Sequence, residues 1–165
     1  MQTKSLNYYE VIPEENTFVD IMVDITHKCN MTCKNCYIPN RDVPDMDLEK
    51  YRDFISRLKG RCMIRIVGAE PTMNPLCEEY IKIAFEYGHR CIVLTNGLRL
   101  AHKNYVDKLH TSGLRHIYLS LNGVNNDDWY VEIDEMRCAT KKIAALRNIR
   151  DRKFILEKKV GKISN

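Results

Sequence analysis

A chain of 165 residues, 44% of them hydrophobic and with a single Trp, fits one compact domain with a real core, and no repeat or linker divides it. No apolar run approaches the roughly 18–20 residues of a membrane span, and the opening MQTKSLNYYEVIPEEN has no apolar segment or small-residue cleavage site of a secretory signal, so the chain reads as cytoplasmic. The formal charge of +4 is uneven: Lys141 to Lys162 carries nine Lys or Arg against Asp151 and Glu157, net +7, and without interleaved aromatics this reads as a solvated helix face rather than a nucleic-acid patch.

Residues 1–17 read as an N-terminal extension. Phe18 to Thr26 (FVDIMVDIT) is rich in β-branched and apolar residues and predicts a strand that runs straight into HKCNMTCKNCY. After a turn holding Pro39 and Pro44, Leu48, Tyr51, Ile55 and Leu58 recur at helical spacing, with Asp47 placed to cap and Gly60 to stop. The unit then repeats. Cys62 to Val67 is the second strand, GAEPT its loop, and Asn74-Pro75 the cap and first turn of a helix whose face carries Leu76, Tyr80, Ile83, Ala84 and Tyr87 up to Gly88. Arg90 to Thr95 predicts the third strand, Asn96-Gly97 its turn, and Tyr105, Val106 and Leu109 a helix ending near Gly113. Ile117, Leu119 and Leu121 mark the fourth strand, closed by Asn122-Gly123. Met136, Ala139, Ile143 and Leu146 draw a last helix, and Phe154 to Leu156 begin a fifth strand or a basic tail over 151–165. Strands alternating with helices predict an α/β fold, a partial (β/α) barrel of four to five units around a parallel sheet, with the core over 18–150. In such a barrel the active site lies at the carboxyl ends of the strands, where all the unusual loops fall.

Seven cysteines in a chain without an export signal read as free or metal-binding thiols. Cys62, Cys77, Cys91 and Cys138 lie in apolar or helical contexts and read as core residues, and His27 as a structural neighbour rather than a ligand. Cys29, Cys33 and Cys36 are different: C-x3-C-x2-C lets one short loop wrap three thiolates around a compact iron–sulfur cluster. A cubane usually takes four Cys, so three leave one iron open to a cofactor or substrate, as in catalytic metal sites generally. The alternatives are an electron-transfer cluster, free thiols, or a structural zinc drawing its fourth ligand from His27, Cys62 or Cys138.

The spacing, with Tyr37 after the third Cys, resembles the hallmark of the radical S-adenosylmethionine superfamily. Gly68-Ala69-Glu70-Pro71 is similar to its GGEP motif, with Ala69 in place of the second glycine. Thr95-Asn96-Gly97 and Ser120-Leu121-Asn122-Gly123 resemble its third- and fourth-strand motifs. The resemblance implies a [4Fe–4S] cluster on Cys29, Cys33 and Cys36 whose open iron is chelated by S-adenosylmethionine, and reductive cleavage to a 5′-deoxyadenosyl radical that takes hydrogen from a substrate. It also implies cofactor contacts: Glu70 with the Gly68 to Pro71 backbone on the amino group, Tyr37 backbone at adenine, and Asn96, Ser120 and Asn122 toward the ribose. Small residues admit a close backbone and a carboxylate suits an ammonium, while Ser120 and Asn122, two apart on a strand, share a face.

An electron donor such as a flavodoxin or ferredoxin follows from the same resemblance. The family's core has six units, and the last two strand motifs are not recognisable in FILEKKVGKISN. The expectation is therefore either an active enzyme or a cluster-binding remnant, with a partner chain or second copy completing the sheet, since an unpaired edge strand favours association. The substrate is not legible in these residues.

Overall fold

The structure, a computed structural model, describes residues 19–38, 40–123 and 126–160; the expected N-terminal extension, Phe18, Pro39 and residues 161–165 lie outside the described residues. Strands β1 (Asp20–Asp24), β2 (Met63–Val67), β3 (Arg90–Thr95), β4 (His116–Leu121) and β5 (Ile155–Val160) form one sheet in the order β1-β2-β3-β4-β5, with every neighbouring pair parallel. Parallel neighbours in chain order require a crossover each, and helices α1 (Leu48–Arg57), α2 (Cys77–Glu86), α3 (Lys103–Thr111), α4 (Asp128–Asp134) and α5 (Ala139–Asp151) supply them. The result is an open parallel sheet, a partial barrel, as the alternating pattern predicts.

One face of the sheet carries the packing. Val23, Ile64, Ile66, Cys91, Val93, Ile117 and Leu119 alternate along their strands and join Tyr51, Ile55, Tyr80, Ile83, Val106, Leu109 and Ile149 of the helices in a single buried core. A fully buried Ile or Leu contributes about 1.5–3 kcal/mol, so this helix-side face holds the fold together. The opposite face is open at its β1 edge, where Met22 is 64% exposed and Arg65 sets its guanidinium on both oxygens of Asp20 at 2.8 Å, while Ile92 further in is buried. Among the described residues no helix is long and apolar enough to cross a membrane.

Local chemistry sets the element ends. Asp47 caps α1 by accepting from the Lys50 amide at 2.8 Å, and Gly88 closes α2 at φ +81°. Three expectations are corrected. Asn74 does not cap α2; it closes a 3-10 turn at Pro71–Met73, its side chain accepting from the Leu76 amide, and α2 starts at Cys77. The segment after Gly123 holds a short helix, α4, that no periodicity announced; Met136 lies beyond it, outside α5. Finally, α5 buries Ala139, Lys142, Ala145 and Ile149, so one of the cations of the basic stretch, Lys142, is in the interior rather than on a solvated face.

A second, smaller core explains α4. Met31, Leu98, Tyr130, Cys138 and Ala139 are buried together, with Cys29, Cys33 and Met136 packed against them, so α4 is the shelf on which the cysteine loop rests. The Lys34 amide donates to Ile133 O at 2.9 Å, which fastens the loop to the helix end.

Candidate active site

The loop that follows β1 is seated by Met31 on the smaller core and is further shaped by polar links. Thr26 Oγ1 and Lys28 Nζ both donate to the Asp45 carboxylate, at 2.6 and 2.7 Å. His27 is held between Asn40 O at 2.9 Å and Asp24 Oδ2 at 3.1 Å, a structural placement away from the thiols. Between these anchors the Cys36 amide turns back on Cys33 O at 3.2 Å, so Cys33 and Cys36 belong to one tight turn. Cys29 and Cys33 are half-buried, Cys36 is exposed, and all three are free thiols.

The second loop is zipped to the first. Beyond the end of β2 the Ala69 amide donates to Thr26 O at 2.9 Å and the Glu70 amide to Lys28 O at 3.0 Å. Gly68, at φ +145°, is required there, because a Cβ would lie 2.2 Å from Thr26 O. The Glu70 side chain turns away from solvent and is fully buried. Its Oε1 accepts from Thr72 N at 3.2 Å, Thr72 Oγ1 at 2.6 Å and Thr95 Oγ1 at 2.6 Å, and its Oε2 from the Asn96 amide at 2.6 Å. One carboxylate thus joins the β2 and β3 loops in a charge-assisted network. Asn96 continues the network upward, its Nδ2 donating to Asn30 Oδ1 at 2.8 Å and approaching Cys29 Sγ at 3.9 Å.

From the far side, Lys142 of α5 reaches the strand ends and donates to Ser120 O at 2.9 Å and to Asn96 O. Burial pushes this ammonium below its ordinary range, opposed by Cys138, Asp134 and Glu70 nearby. Asn122 Nδ2 donates to Asp134 Oδ2 at 2.8 Å, which sets the Asp134 carboxylate beside Cys33. Burial first, and Asp134 second, push the Cys33 thiol up to about 12.

These loops enclose one cavity of about 590 Å³, within the about 300–1,000 Å³ range of small-molecule sites. Of the residues predicted from sequence, Cys29, Cys33, Cys36, Tyr37, Gly68, Ala69, Asn96, Ser120 and Asn122 all line it. Glu70 and Pro71 do not; both are buried beneath, where Glu70 acts on the cavity through Asn96 and the loop it fixes. Arg41, Tyr118, Asp134 and Lys142 also line the cavity and were not singled out by sequence. Only the inward alternation of Tyr118 with Ser120 carried a readable signal for any of them.

Three free thiols on one loop, all lining the cavity, are the donor type that iron–sulfur clusters take. Among the described residues no three His, Cys, Asp or Glu donors converge on a point that holds a single ion, and a structural zinc requires four. Cys62 and Cys138, considered as fourth ligands, are 2% exposed core thiols. Cluster irons sit at separate corners, each taking its own thiolate, so three Cys on one loop need not converge.

Comparison with known proteins agrees with this geometry. The sequence profile of the Radical SAM superfamily matches residues 23–158. The 7,8-dihydro-6-hydroxymethylpterin dimethyltransferase of Methanocaldococcus jannaschii is 29% identical over 71% of this chain and 25% of its own length. A probable GTP 3′,8-cyclase of Metallosphaera sedula is 28% identical over 82% of this chain and 44% of its own length. In fold, the chain is similar to Streptococcus suis SuiB bound to S-adenosylmethionine, with a TM-score of 0.71 at 15% identity over 90% of this chain and 33% of SuiB. The chain spans less than half the length of each of these proteins. With its three-cysteine loop, its parallel strand order and a profile match across nearly the whole described region, the chain belongs to the Radical SAM superfamily.

Proposed function

We propose that Cys29, Cys33 and Cys36 hold a [4Fe–4S] cluster and that the chain uses it to cleave S-adenosylmethionine reductively. The observation that carries this reading is the convergence of nine separately predicted residues, from four loops, on a single cavity. The chemistry such a cluster supplies when bound is one-electron cleavage of the cofactor to methionine and a 5′-deoxyadenosyl radical, which takes a hydrogen atom from the substrate.

The chain's own residues bind and orient. Three thiolates leave one iron free for the cofactor's amino and carboxylate groups. The Gly68–Ala69 backbone, held rigid from below by Glu70, meets the amino group; the Tyr37 backbone meets adenine; Asn96, Ser120 and Asn122 meet the ribose. None of these steps requires the protein to move a proton. A low-potential donor such as a flavodoxin or ferredoxin supplies the electron.

A second reading is favoured by β5, which among the described residues pairs with β4 alone: a partner chain or second copy completes the barrel, and this chain alone holds cluster and cofactor without turnover. The test is the anaerobically purified chain, reconstituted with iron and sulfide, reduced, and examined by electron paramagnetic resonance with and without S-adenosylmethionine. A cubane signal that shifts on adding the cofactor, with 5′-deoxyadenosine as product, supports the enzyme. A shifted signal without that product supports the second reading, and no cubane overturns both.

A further inference from the structure

Two opposite charges flank the three thiols. Arg41 lies five residues past Cys36 and brings Nη2 within 3.0 Å of Cys36 Sγ; its charge also acts on Cys29 and Cys33. Asp134, at the end of α4, is 2% exposed, is held by Asn122 Nδ2 at 2.8 Å and lines the same cavity as Cys33. Both line the cavity. Of the nearby cations, Lys28 is paired with Asp45 at 2.7 Å, and Lys142 holds the carbonyls of Ser120 and Asn96 while its charge also acts on Asp134 and Cys33, a background common to the parent and every variant compared below.

An electron added to a cluster adds one unit of negative charge, so an adjacent cation favours the reduced state and an adjacent anion disfavours it. N–H donors to the ligating sulfurs act in the same sense as the cation, and cluster potentials are set by such hydrogen bonds, by charge and by exposure. The Coulomb term is larger where the dielectric is lower, so buried Asp134 outweighs half-exposed Arg41.

We propose that Arg41 and Asp134 are opposed tuning residues that act through the thiolates of Cys36 and Cys33, Arg41 favouring and Asp134 resisting reduction of the bound cluster. The inference rests on the cluster reading above. The step is a one-electron reduction of the cluster from its 2+ to its 1+ state by a low-potential reductant, dithionite in the test, with no bond made or broken and no proton transferred.

The experiment is a redox titration of the reconstituted chain, followed by electron paramagnetic resonance, after iron and sulfide have been quantified. Asp134→Asn raises the reduced-to-oxidised ratio at fixed poise about tenfold, which is about 59 mV for one electron. Arg41→Gln lowers the ratio about threefold to tenfold. Arg41→Lys and Asp134→Glu, which keep the charges, stay within about twofold to threefold of the parent. Shifts of the same sign in the two neutral variants, shifts under twofold in both, or charge-keeping variants that match the neutral ones overturn the proposal. A neutral variant that loses its cluster while its charge-keeping counterpart retains it assigns the charge to assembly and also overturns it. A parent chain without iron and sulfide sinks the cluster reading itself, which is distinct from a loaded parent with no opposed shifts.

Discussion

Three cysteines of this chain lie on the loop after β1 and four lie in its packed interior, and the same side chain does different work in the two places. Cys62, Cys77, Cys91 and Cys138 are at most 7% exposed and face hydrophobic neighbours. Burial pushes the Cys77 and Cys91 thiols up to about 12, which leaves them as small inert hydrophobes. Cys29, Cys33 and Cys36 sit at the carboxyl ends of the strands, where a loop held by Asp24, His27 and Asp45 lifts them to the rim of a cavity. Cys33 is intermediate, half-buried yet with its thiol also pushed up to about 12, by burial first and Asp134 second. A thiol's role here is decided by which end and which face of the sheet it occupies.

The most direct way to break this comparison is to exchange the two behaviours. Cys33→Ala is expected to reduce iron and sulfide to background while leaving the urea midpoint of the cluster-free chain nearly unchanged; metal analysis and denaturation read the two effects separately. Glu70→Ala tests the floor under the loop. It orphans the amides and hydroxyls of Thr72, Thr95 and Asn96, and the expected loss is about 3–5 kcal/mol of unfolding free energy, far larger than for any loop cysteine. A Glu70→Ala chain as stable as the parent would mean that the buried network organises nothing.

Cys77→Ser places a hydroxyl in a fully buried site beside the Tyr105 side chain and is expected to cost about 1–3 kcal/mol while leaving cluster content intact. The pH dependence sharpens the point. In the fold Cys77 and Cys91 hold their protons to about 12, whereas in the unfolded chain they ionise near the ordinary value of 9.0. Above about pH 9 the unfolded state binds fewer protons than the folded one. The stability these thiols contribute is therefore complete below pH 9 and declines as pH rises from about 9 toward about 12. Denaturant titration of the cluster-free chain across that range checks the sign, and the decline should be shallower in Cys77→Ser.

Much of this arrangement is legible in the residue order. The strands announce themselves by apolar alternation, and the loops that matter all follow strands, so the cavity wall at Cys29, Gly68, Asn96 and Ser120 could be assembled before any coordinates. What escaped notice depends on contacts made only by folding. Seven residues of α4 are too few to show a helical period, and the helix exists because Tyr130 packs against Met31 and Leu98. Lys142 occupies a position that charge alone assigns to solvent, yet two backbone carbonyls at the strand ends hold it inside. Glu70 was readable as an important acid, but not as a buried one: two of its donors, Thr95 and Asn96, lie 25 and 26 residues further along the chain. Arg41 and Asp134 both line the cavity with the thiols, and only the fold brings Asp134, far along the chain, to the cysteine loop.

The smallest expected effect bears on how the cysteine loop ends. Asp47 closes that loop by capping α1, its carboxylate accepting from the Lys50 amide at 2.8 Å, and the adjoining Met46 amide donates to Ile25 O at 3.2 Å at the loop's start. The two ends are thus fastened to each other as well as to the sheet. Asp47→Ala removes the cap and should cost about 1 kcal/mol, as N-cap truncations generally do. The bond between Met46 and Ile25 is made by backbone and survives the substitution, so the loop's closure outlasts the loss of the cap. Iron content of the reconstituted Asp47→Ala chain should therefore match the parent while its urea midpoint falls slightly. A drop in iron content at that small cost in stability would mean that the three thiols depend on the helix start for their placement, and that the loop is less self-contained than its polar links to Asp24 and Asp45 imply.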